Sequence, residues 1–380
     1  MIFDKIISQY DEHSEEILFL IDKFKANKII FIIDNKKRNK IKTNEKIYKK
    51  VFNNKEVAFE VIEDYSIDGL ENILKRNSEA LVNLSGGDRI ISLLLLNIAM
   101  ELSMQSIYID FINKKRYVFK DKCRVINSEM KDTSLQEVFY LSGADVVNES
   151  TELCDKKDVI EISQKILSNI DVWHKYKHIL YDNSIFKHNA KDVDNIDIDI
   201  RNIDKNQLIL LNKSIEYLVS INGIDISKNQ NLIHTKFKKS YLKGVLFKSG
   251  TWLEVITYLA VKNIKEIDEV RSGVLFSWGV NADIVKNEID VIAIKDSVLI
   301  CISCKDSNKY DDDALNELSI YSERLGGKNV VKILVATKKP QKVSVIQRAK
   351  EMDINLVILK ESSINYLQNS LRVIINEKIR

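Results

Sequence analysis

Two runs of β-branched residues, separated by a short polar turn, constrain the fold of this chain more than any other feature. Both runs lie within residues 287–305, and the turn between them is Lys295-Asp296-Ser297. This pattern is typical of an antiparallel hairpin. If Asp296 and Ser297 form the tip, residues whose numbers sum to 593 face each other, as 296 and 297 do. A three-residue loop with a bulge would instead shift the register by one residue.

In the first register, four polar side chains project from one face of the hairpin. Asp290 lies opposite Ser303 and Glu288 lies opposite Lys305, because side chains alternate between faces with a period of two. Charges at the ends of apolar strands are costly unless they serve a function. A carboxylate that holds a divalent cation, beside a lysine that stabilises a hydroxide or an oxyanion, would be such a function. Solvated charges at strand ends are the alternative.

The elements around the hairpin follow the order helix, three strands, helix, strand. Upstream, Trp252–Lys262 has apolar residues at helical spacing and carries Glu254 near its start, and Val270–Trp278 is strand-like. The predicted downstream elements are a helix from Asp311 to the stop at Gly326-Gly327, a strand at Val330–Ala336, a helix ending near Met352 and a strand at Ile354–Leu359.

This order resembles the core of PD-(D/E)xK nucleases. The resemblance implies that Glu254 and Asp290 hold the metal, Mn²⁺ or Mg²⁺, and that Ser303-Cys304-Lys305 takes the place of (D/E)-x-K. Ser303 carries a hydroxyl where many members carry a carboxylate, so the metal site is one charge poorer. Either Glu254 and Glu288 make up the difference, or the site is weak or inactive.

Composition sets the outer limits. The chain has 380 residues, which suggests two domains with a connector, and it is 45% hydrophobic and 30% charged, which indicates a folded protein. The apolar run Ile90–Leu102 is interrupted by polar residues and is shorter than the roughly 20 residues that span a bilayer. Four cysteines without framework spacing fit a reducing compartment. We therefore expect no membrane partner and a cytoplasmic location.

The first 150 residues predict a different domain. Strands alternate with helical patterns, which indicates a doubly wound, largely parallel α/β sheet with helices on both faces. The predicted strands are Lys28–Ile33, Val57–Ile62, Leu81–Leu84 and Ser106–Asp110, and the predicted helices are Glu12–Phe24, Thr43–Phe52, Gly69–Lys75 and Arg89–Leu102.

A strand in this domain leads through Ser85-Gly86-Gly87 directly into an apolar helix. Glycines let a ligand approach the backbone, and a helix N-terminus offers free N–H groups to a phosphate. A Gly-Gly turn that serves packing alone is the alternative. If the turn binds a ligand, the candidate residues are Asn83, Ser85, Gly86, Gly87, Asp88 and Arg89, with Ser8, Gln9 and Tyr10 in a loop that forms the opposite wall.

The segment Asn83–Asp88 is similar to the Asn-Leu-(Ser/Thr)-Gly-Gly-(Thr/Asp) segment of CARF domains, the sensors of cyclic oligoadenylate in type III CRISPR defence. Residues 133–139, 287–291, 302–305 and 323–327 are similar to ancillary nucleases that join one CARF domain to a PD-(D/E)xK domain. The resemblance implies a homodimer, an activator resembling cyclic tetra-adenylate, and metal-dependent cleavage of nucleic acid with little sequence specificity. The substrate is then single-stranded or plasmid DNA, RNA, or both.

The predicted organisation is a Rossmann-like CARF domain at 1–146, a connector at 147–235 and a restriction-endonuclease-like αβββαβ domain at 236–380. Within the connector, residues 192–199 fit either a short edge strand or an exposed loop, and Leu208–Leu218 predicts a helix. His174 and His178 have metal-ligand spacing, but the absence of a third ligand nearby argues against a metal there. The alternative to a nuclease is a non-catalytic sensor whose degenerate nuclease fold binds nucleic acid or a partner.

The net charge is only +3, but two basic runs bracket the candidate nuclease site. Such runs are usually solvated faces, yet beside a phosphodiesterase site they favour a groove that follows a nucleic-acid backbone. The runs consist of Lys236, Lys238, Lys239, Lys243 and Lys248, and of Lys338, Lys339, Lys342, Arg348 and Lys350.

Overall fold

The computed structural model shows a mixed α/β protein with three sheets. It describes residues 2–11, 13–41, 45, 48, 51–52, 55–63, 65–111, 113–127, 133–189, 191–278 and 286–379. Within these ranges, no helix is long and apolar enough to cross a membrane. The helix predicted at Thr43–Phe52 falls largely outside them.

The N-terminal sheet has seven strands in the order β3-β2-β1-β4-β5-β6-β7. Strands β1 to β5 pair in parallel, and β6 and β7 extend the sheet in antiparallel fashion. The strands are β1 (Lys5–Gln9), β2 (Lys28–Asp34), β3 (Glu56–Ile62), β4 (Leu81–Asn83), β5 (Ser106–Asp110), β6 (Lys115–Phe119) and β7 (Cys123–Asn127). The helices are α1 (Glu15–Phe24), α2 (Ile67–Arg76) and α3 (Arg89–Glu101), with a 3₁₀ turn at Asn35–Lys40.

Alternate residues of the central strand β1 point into two different cores. Ile6 packs with Leu20 of α1 on one face, and Ile7 packs with Leu70 of α2 and Leu95 of α3 on the other. The predicted doubly wound architecture is therefore confirmed. The sequence reading did not recognise β1, because Ser8 and Gln9 end a run that has only two apolar residues.

The C-terminal sheet has six strands in the order β17-β16-β15-β14-β13-β8. Its strands are β8 (Ala144–Asn148), β13 (Glu269–Trp278), β14 (Asn287–Lys295), β15 (Val298–Lys305), β16 (Val331–Ala336) and β17 (Ile354–Ile358). The helices packed on it are α4 (Leu135–Leu141), α10 (Thr251–Lys262), α11 (Asp312–Gly326), α12 (Val343–Glu351) and α13 (Ile364–Lys378), with a 3₁₀ turn at Gly327–Asn329. The predicted order of helix, three strands, helix and strand is present, and α13 was not predicted.

The hairpin of β14 and β15 has the predicted register. Val291 pairs with Ile302 and Lys295 pairs with Val298. Asp296 and Ser297 have φ angles of 49° and 63°. Positive φ at both central residues is the geometry of a two-residue turn that matches the twist of its strands. The alternative with a three-residue loop is therefore wrong.

The predicted domain boundary at residue 146 falls inside β8, which pairs with β13 at the edge of the C-terminal sheet. The preceding helix α4 also packs there, since Leu135 and Phe139 share a core with Phe276. The C-terminal unit thus begins near Thr133. The first 150 residues were read as one domain because β8 is short and half exposed, which hides its hydrophobic pattern.

The segment predicted as a connector is a folded layer rather than an extended linker. Its strands are β9 (Phe186–His188), β10 (Asn195–Asp199), β11 (Ile224–Asn229) and β12 (Leu232–Phe237), in the order β11-β12-β10-β9. Its helices are α5 (Thr151–Cys154), α6 (Lys157–Ser168), α7 (Ile170–Tyr176), α8 (Lys205–Ser220) and α9 (Ser240–Phe247), with a 3₁₀ turn at Lys177–Tyr181. The acidic segment 192–199 contributes the interior strand β10, and α8 contains the predicted helix. This middle layer shares one apolar core with α10, through residues such as Ile162 and Val255.

Candidate functional site: a carboxylate pair at the hairpin face

The hairpin brings Asp290 against the strand that carries Ser303 and Lys305. One carboxylate oxygen of Asp290 accepts a hydrogen bond from the Ser303 hydroxyl at 3.2 Å and another from the backbone N–H of Cys304 at 2.6 Å. Burial raises the pKa of Asp290, whereas the positive charge of Lys305 and the N–H of Cys304 oppose that rise. The predicted face therefore forms, with Asp290 fixed by its neighbours on β15.

Glu254 approaches the same face from α10. Gly250 begins this helix with φ 90°, a backbone conformation that favours glycine, and Glu254 lies in the first turn with a side chain that is almost fully buried. Burial and, after it, the negative charge of Asp290 raise the pKa of Glu254, while Lys248 and Lys305 oppose the rise, and the net result is a pKa of about 8. Two acidic groups that disfavour each other's charge thus share one site.

Glu288 lies at the exposed rim of the site. Its carboxylate pairs with the Lys248 ammonium at 3.1 Å. Lys248, which the sequence reading placed only in a basic run, is electrostatically linked to Glu254, Glu288 and Asp290. The feature of the sequence that could have pointed to Lys248 is its position two residues before Gly250, the glycine at the start of α10. The structure thus brings together Glu254, Glu288, Asp290, Ser303 and Lys305, the five residues predicted from the sequence, and adds Lys248.

The donor set of this site suits a divalent cation bound partly by solvent or substrate. Within the described ranges, no group of three or more His, Cys, Asp and Glu side chains is placed to hold a metal ion. Buried Glu254 and half-buried Asp290 nevertheless form a pair whose pKa values are raised, and a cation between them would relieve both desolvation and repulsion. Mg²⁺ commonly uses one or two carboxylates and keeps several waters. The residues present therefore fit the predicted metal.

Another carboxylate, the buried Asp306, adjoins the site and was not predicted from the sequence. Its side chain is 1% exposed, and its oxygens accept hydrogen bonds from the middle layer, from α10 and from the loop after β16. His174, which has metal-ligand spacing with His178, contacts this carboxylate with Nε2 at 2.9 Å. Nothing in the sequence around Asp306 marks it, because all of its partners are distant along the chain.

In the N-terminal domain, Asn83 organises the candidate ligand turn. Its amide donates to the Ser8 hydroxyl at 3.0 Å and to the Glu16 carboxylate at 3.1 Å, and its carbonyl accepts from Ser85. Burial raises the pKa of Glu16 to about 8, with a further contribution from the charge of Glu15. Ser8 and Asn83 therefore support the turn from beneath.

The backbone N–H groups at the tip of this turn already have partners. Gly87 donates to the Asp11 carboxylate at 2.7 Å, and Asp88 donates to the Gln9 side-chain carbonyl at 2.7 Å. Gly87 has φ 83°, and a Cβ added there would lie 2.1 Å from that Gln9 oxygen. The turn thus binds an anionic group in this structure, but the group is Asp11, which the sequence reading did not include.

The opposite wall differs from the sequence prediction. Ser8 and Gln9 are the last residues of β1, not of a loop, and both are buried. The Tyr10 ring packs against Phe31 and Phe59 and is 4% exposed. The prediction that Tyr10 lines an open cleft is therefore wrong, because its ring fills the core under α1. Gly87, Asp88 and Arg89 are exposed, as a binding surface requires.

The fold and the two sites together define a class: a Rossmann-like domain with a Gly-Gly turn at a helix N-terminus, followed by a nuclease-like domain with an acidic and basic hairpin face. Residues 243–376 match the model of the Card1-like endonuclease domain family. The chain is also similar in fold to three solved structures, whereas no curated protein matches it in sequence.

The first of these is protein VC1899 from Vibrio cholerae, with a TM-score of 0.76 and 17% identity over 98% of both chains. The second is Can2 from Sulfobacillus thermosulfidooxidans in complex with cyclic tetra-adenylate, with a TM-score of 0.67 and 15% identity over 100% of this chain and 98% of that one. The third is a type III CRISPR defence DNA nuclease activated by cyclic oligoadenylate, with a TM-score of 0.54 and 11% identity over 91% of this chain and 48% of that one. The predicted resemblance to CARF nucleases is thereby confirmed.

Proposed function

We propose that this chain is an endonuclease that depends on a divalent metal, Mn²⁺ or Mg²⁺, and is activated by cyclic oligoadenylate in antiviral defence. It cleaves DNA, RNA or both with little sequence specificity. One observation carries the proposal: the hairpin register places Asp290 on Ser303 and Cys304, with Glu254 buried beside it. This set matches that of a PD-(D/E)xK site except at position 303, where a serine replaces the carboxylate, and it lies on the matching order of elements.

Each polar residue of the hairpin face has a role in this reaction. Glu254 and Asp290 hold the metal, which when bound supplies Lewis-acid stabilisation of a phosphoryl oxygen and lowers the pKa of water. Lys305 stabilises the negative charge that develops on the phosphate. Ser303 keeps the Asp290 carboxylate oriented through their hydrogen bond. Glu288 holds Lys248 at the rim, where a substrate phosphate would pass.

The proposed substrate surface is basic. Lys309, Lys338 and Lys342 are exposed on two adjacent loops at the carboxyl ends of β15 and β16, the sheet edge that carries Lys305. These loops are joined by the bond from the Tyr310 hydroxyl to the Lys338 carbonyl. Contacts of this kind neutralise phosphates regardless of sequence. One solved relative in fold is a DNA nuclease, which supports nucleic acid as the substrate class.

The activator would bind at the Ser85–Arg89 turn, with cyclic tetra-adenylate as the candidate because Can2 binds that ring. An anion there would replace Asp11 on the Gly87 N–H and gain the N-terminus of α3. Arg89 adds a nearby positive charge. A ring of four identical nucleotides contains a two-fold axis, so one ring fits between two copies of the turn in a homodimer.

An exposed apolar stripe on α3 supports the homodimer. Ile90, Leu93 and Met100 lie on one face of this helix and are 58%, 61% and 49% exposed. The stripe starts beside the ligand turn, so an isologous contact through α3 would bring two turns together. Association of two copies would bury these side chains and complete the ligand site at the same time.

Contacts between the N-terminal domain and the C-terminal unit connect the candidate activator site to the candidate nuclease site. Lys114, at the turn between β5 and β6, pairs with Asp296 at the tip of the hairpin at 2.5 Å. A Cβ added at Gly327, after α11, would lie 3.3 Å from the ring of His13, two residues beyond Asp11, so these two segments are neighbours. A shift of Asp11 on ligand binding would therefore be transmitted to the sheet that carries the nuclease face.

A non-catalytic regulatory protein is the second candidate, and two observations favour it. Position 303 is a serine, and the described residues include no group of three acidic or other metal-binding side chains placed to hold an ion. In that case the nuclease fold would bind nucleic acid or a partner without cleaving it.

Purified full-length protein separates the two candidates. It is incubated with Mn²⁺ or Mg²⁺, with and without cyclic tetra-adenylate, on plasmid DNA, single-stranded DNA and RNA, beside a Lys305→Ala variant. Cleavage by the wild type alone supports the endonuclease. Binding of nucleic acid without cleavage under every metal and activator condition supports the regulatory protein.

A further inference from the structure

Asp306 is the most heavily hydrogen-bonded carboxylate in the described part of the chain. Its Oδ2 accepts from the indole N–H groups of Trp173 at 2.8 Å and Trp252 at 2.9 Å. The Lys177 ammonium lies 3.0 Å from the same oxygen. Its Oδ1 contacts His174 Nε2 at 2.9 Å and accepts from the Thr337 hydroxyl at 3.1 Å.

These five partners come from three separate parts of the fold. The middle layer supplies three of them from α7 and the turn that follows, α10 supplies Trp252, and the loop after β16 supplies Thr337. The Lys177 ammonium also donates to the backbone carbonyl of Asp306. The backbone N–H of Thr337 donates to the Lys305 carbonyl at 3.1 Å. One carboxylate therefore joins the end of β15 to α7, to α10 and to the loop after β16 through direct hydrogen bonds.

The position of Asp306 in the chain connects these contacts to the candidate metal site. It directly follows Lys305, and its partner Trp252 stands two residues before Glu254 in the first turn of α10. The hydrogen bond between Trp252 and Asp306 thus spans the site, from the helix of one candidate metal ligand to the strand of the lysine. A buried carboxylate that is fully hydrogen-bonded holds its partners rigidly, because any displacement leaves a charge unpaired.

The Asp306 charge is maintained in this environment. Burial alone would raise its pKa, but hydrogen bonds from His174, Trp173 and Trp252 outweigh burial and hold the pKa well below its ordinary value. The group therefore accepts hydrogen bonds and does not donate a proton near neutral pH. Such a residue is suited to orienting others rather than to acid or base catalysis.

We propose that Asp306 is a positioning residue of the nuclease site: it fixes the end of β15 that bears Lys305 against the helix that bears Glu254. The proposal rests on the proposed endonuclease function. In the same way, outer-shell partners of metal ligands commonly determine how well a site is preorganised, and their loss costs about 10–100-fold in activity or metal affinity. Asp306 would also make the site sensitive to movements of α7 in the middle layer.

The test is Asp306→Asn, which keeps the side-chain volume but presents an N–H₂ group to a cluster of donors. Asp158→Asn is the matched control. Asp158 is a carboxylate of the middle layer whose side chain is 12% exposed, and its ion-pair partner is Lys239 rather than a residue next to Lys305. It accepts from Lys239 at 2.7 Å and from the Tyr241 hydroxyl at 2.8 Å. Both variants are assayed for kcat, KM and half-saturating Mn²⁺, at a temperature where each is folded.

We expect Asp306→Asn to lower kcat or weaken Mn²⁺ activation by about 10–100-fold, with KM for nucleic acid changed by less than about threefold. Asp158→Asn should leave kcat within about twofold of the wild type even where its loss of stability is similar. Equal kcat together with equal half-saturating Mn²⁺ in the wild type and in Asp306→Asn would overturn the proposal. A loss of rate that only follows the unfolded fraction in both variants would do the same.

An inactive wild type would refute the proposed function, and amide hydrogen exchange then decides the positioning role separately. Asp306→Asn should speed exchange at residues 303–306 and in the first turn of α10, whereas Asp158→Asn should not. Unchanged exchange in both places would show that Asp306 does not hold these elements together.

Discussion

Glu254→Gln tests the electrostatics of the candidate metal site in the metal-free protein. At pH below 4.5, Glu254 is neutral in the folded and in the unfolded chain, so its burial has no electrostatic cost. Because burial and Asp290 raise its folded pKa from 4.5 to about 8, the unfolded chain loses this proton first as the pH rises. The free energy of unfolding therefore falls between pH 4.5 and about 8.

The size of this effect follows from the pKa difference. Each unit is worth about 1.4 kcal/mol, so the ceiling is about 5 kcal/mol for the difference between 4.5 and about 8. Glutamine carries no charge at any pH and removes this loss. We therefore expect Glu254→Gln to be nearly neutral at pH 5 and to stabilise the metal-free protein by several kcal/mol at pH 9, while it abolishes cleavage.

Denaturant unfolding in EDTA, followed by tryptophan fluorescence, provides the measurement. Trp173, Trp252 and Trp278 are the only tryptophans in the sequence, and they lie in the middle layer, on α10 and in the C-terminal sheet, so the fluorescence reports this region. The control is Glu266→Gln, whose carboxylate pairs with Arg372 and has a lowered pKa. Its effect should be the same at pH 5.5 and pH 9. A Glu254→Gln effect that is equally independent of pH would refute the reasoning.

Three further predictions concern catalysis, metal choice and activation. Asp290→Asn and Lys305→Ala should each reduce cleavage to background in a gel assay while circular dichroism is unchanged. Asparagine is chosen at position 290 because alanine would leave the Cys304 N–H without its acceptor, at a cost of about 1–3 kcal/mol. Ser303→Ala should reduce cleavage less than either of these variants. Mn²⁺ should support a higher maximal rate than Mg²⁺, since the site lacks one carboxylate and Mn²⁺ tolerates a poorer ligand set; equal rates over a full titration would contradict this. Calorimetry should show that Gly87→Arg abolishes activator binding. Asp11→Asn should tighten activator binding by about 3–10-fold, because the ligand no longer competes with a carboxylate for the Gly87 N–H. Unchanged affinity in either variant would exclude this turn as the activator site.

The hairpin could be predicted in register because its information is local. The alternation of apolar residues and the short polar turn determine which residues face each other, and the positive φ angles of Asp296 and Ser297 are what a two-residue turn needs. The same holds for α3, whose N-cap Asp88 accepts from the Ile90 N–H at 2.8 Å. Local signals of this kind predicted most elements and the register of the hairpin face that carries the candidate site.

The domain boundary, the contacts of Asp306 and the burial of Tyr10 depend on residues that are distant in the sequence, and no local pattern reveals such contacts. Strand β8 joins the C-terminal sheet through pairing with β13, more than a hundred residues later, so the domain boundary was placed too late. Asp306 acquires its role only when α7, α10 and the loop after β16 converge on it. Tyr10 was assigned to a cleft because it follows a polar pair, whereas tertiary packing against Phe31 places it in the core.

The most direct test of the account is the initial rate of nucleic-acid cleavage as cyclic tetra-adenylate is titrated into a known concentration of full-length protein with Mn²⁺. The account predicts no cleavage in EDTA, little without the activator, and a rate that rises linearly and reaches its plateau at one ring for two chains. The proposed function would be contradicted by a cleavage rate that does not depend on the activator, that persists in EDTA, or that reaches its plateau at one ring per chain.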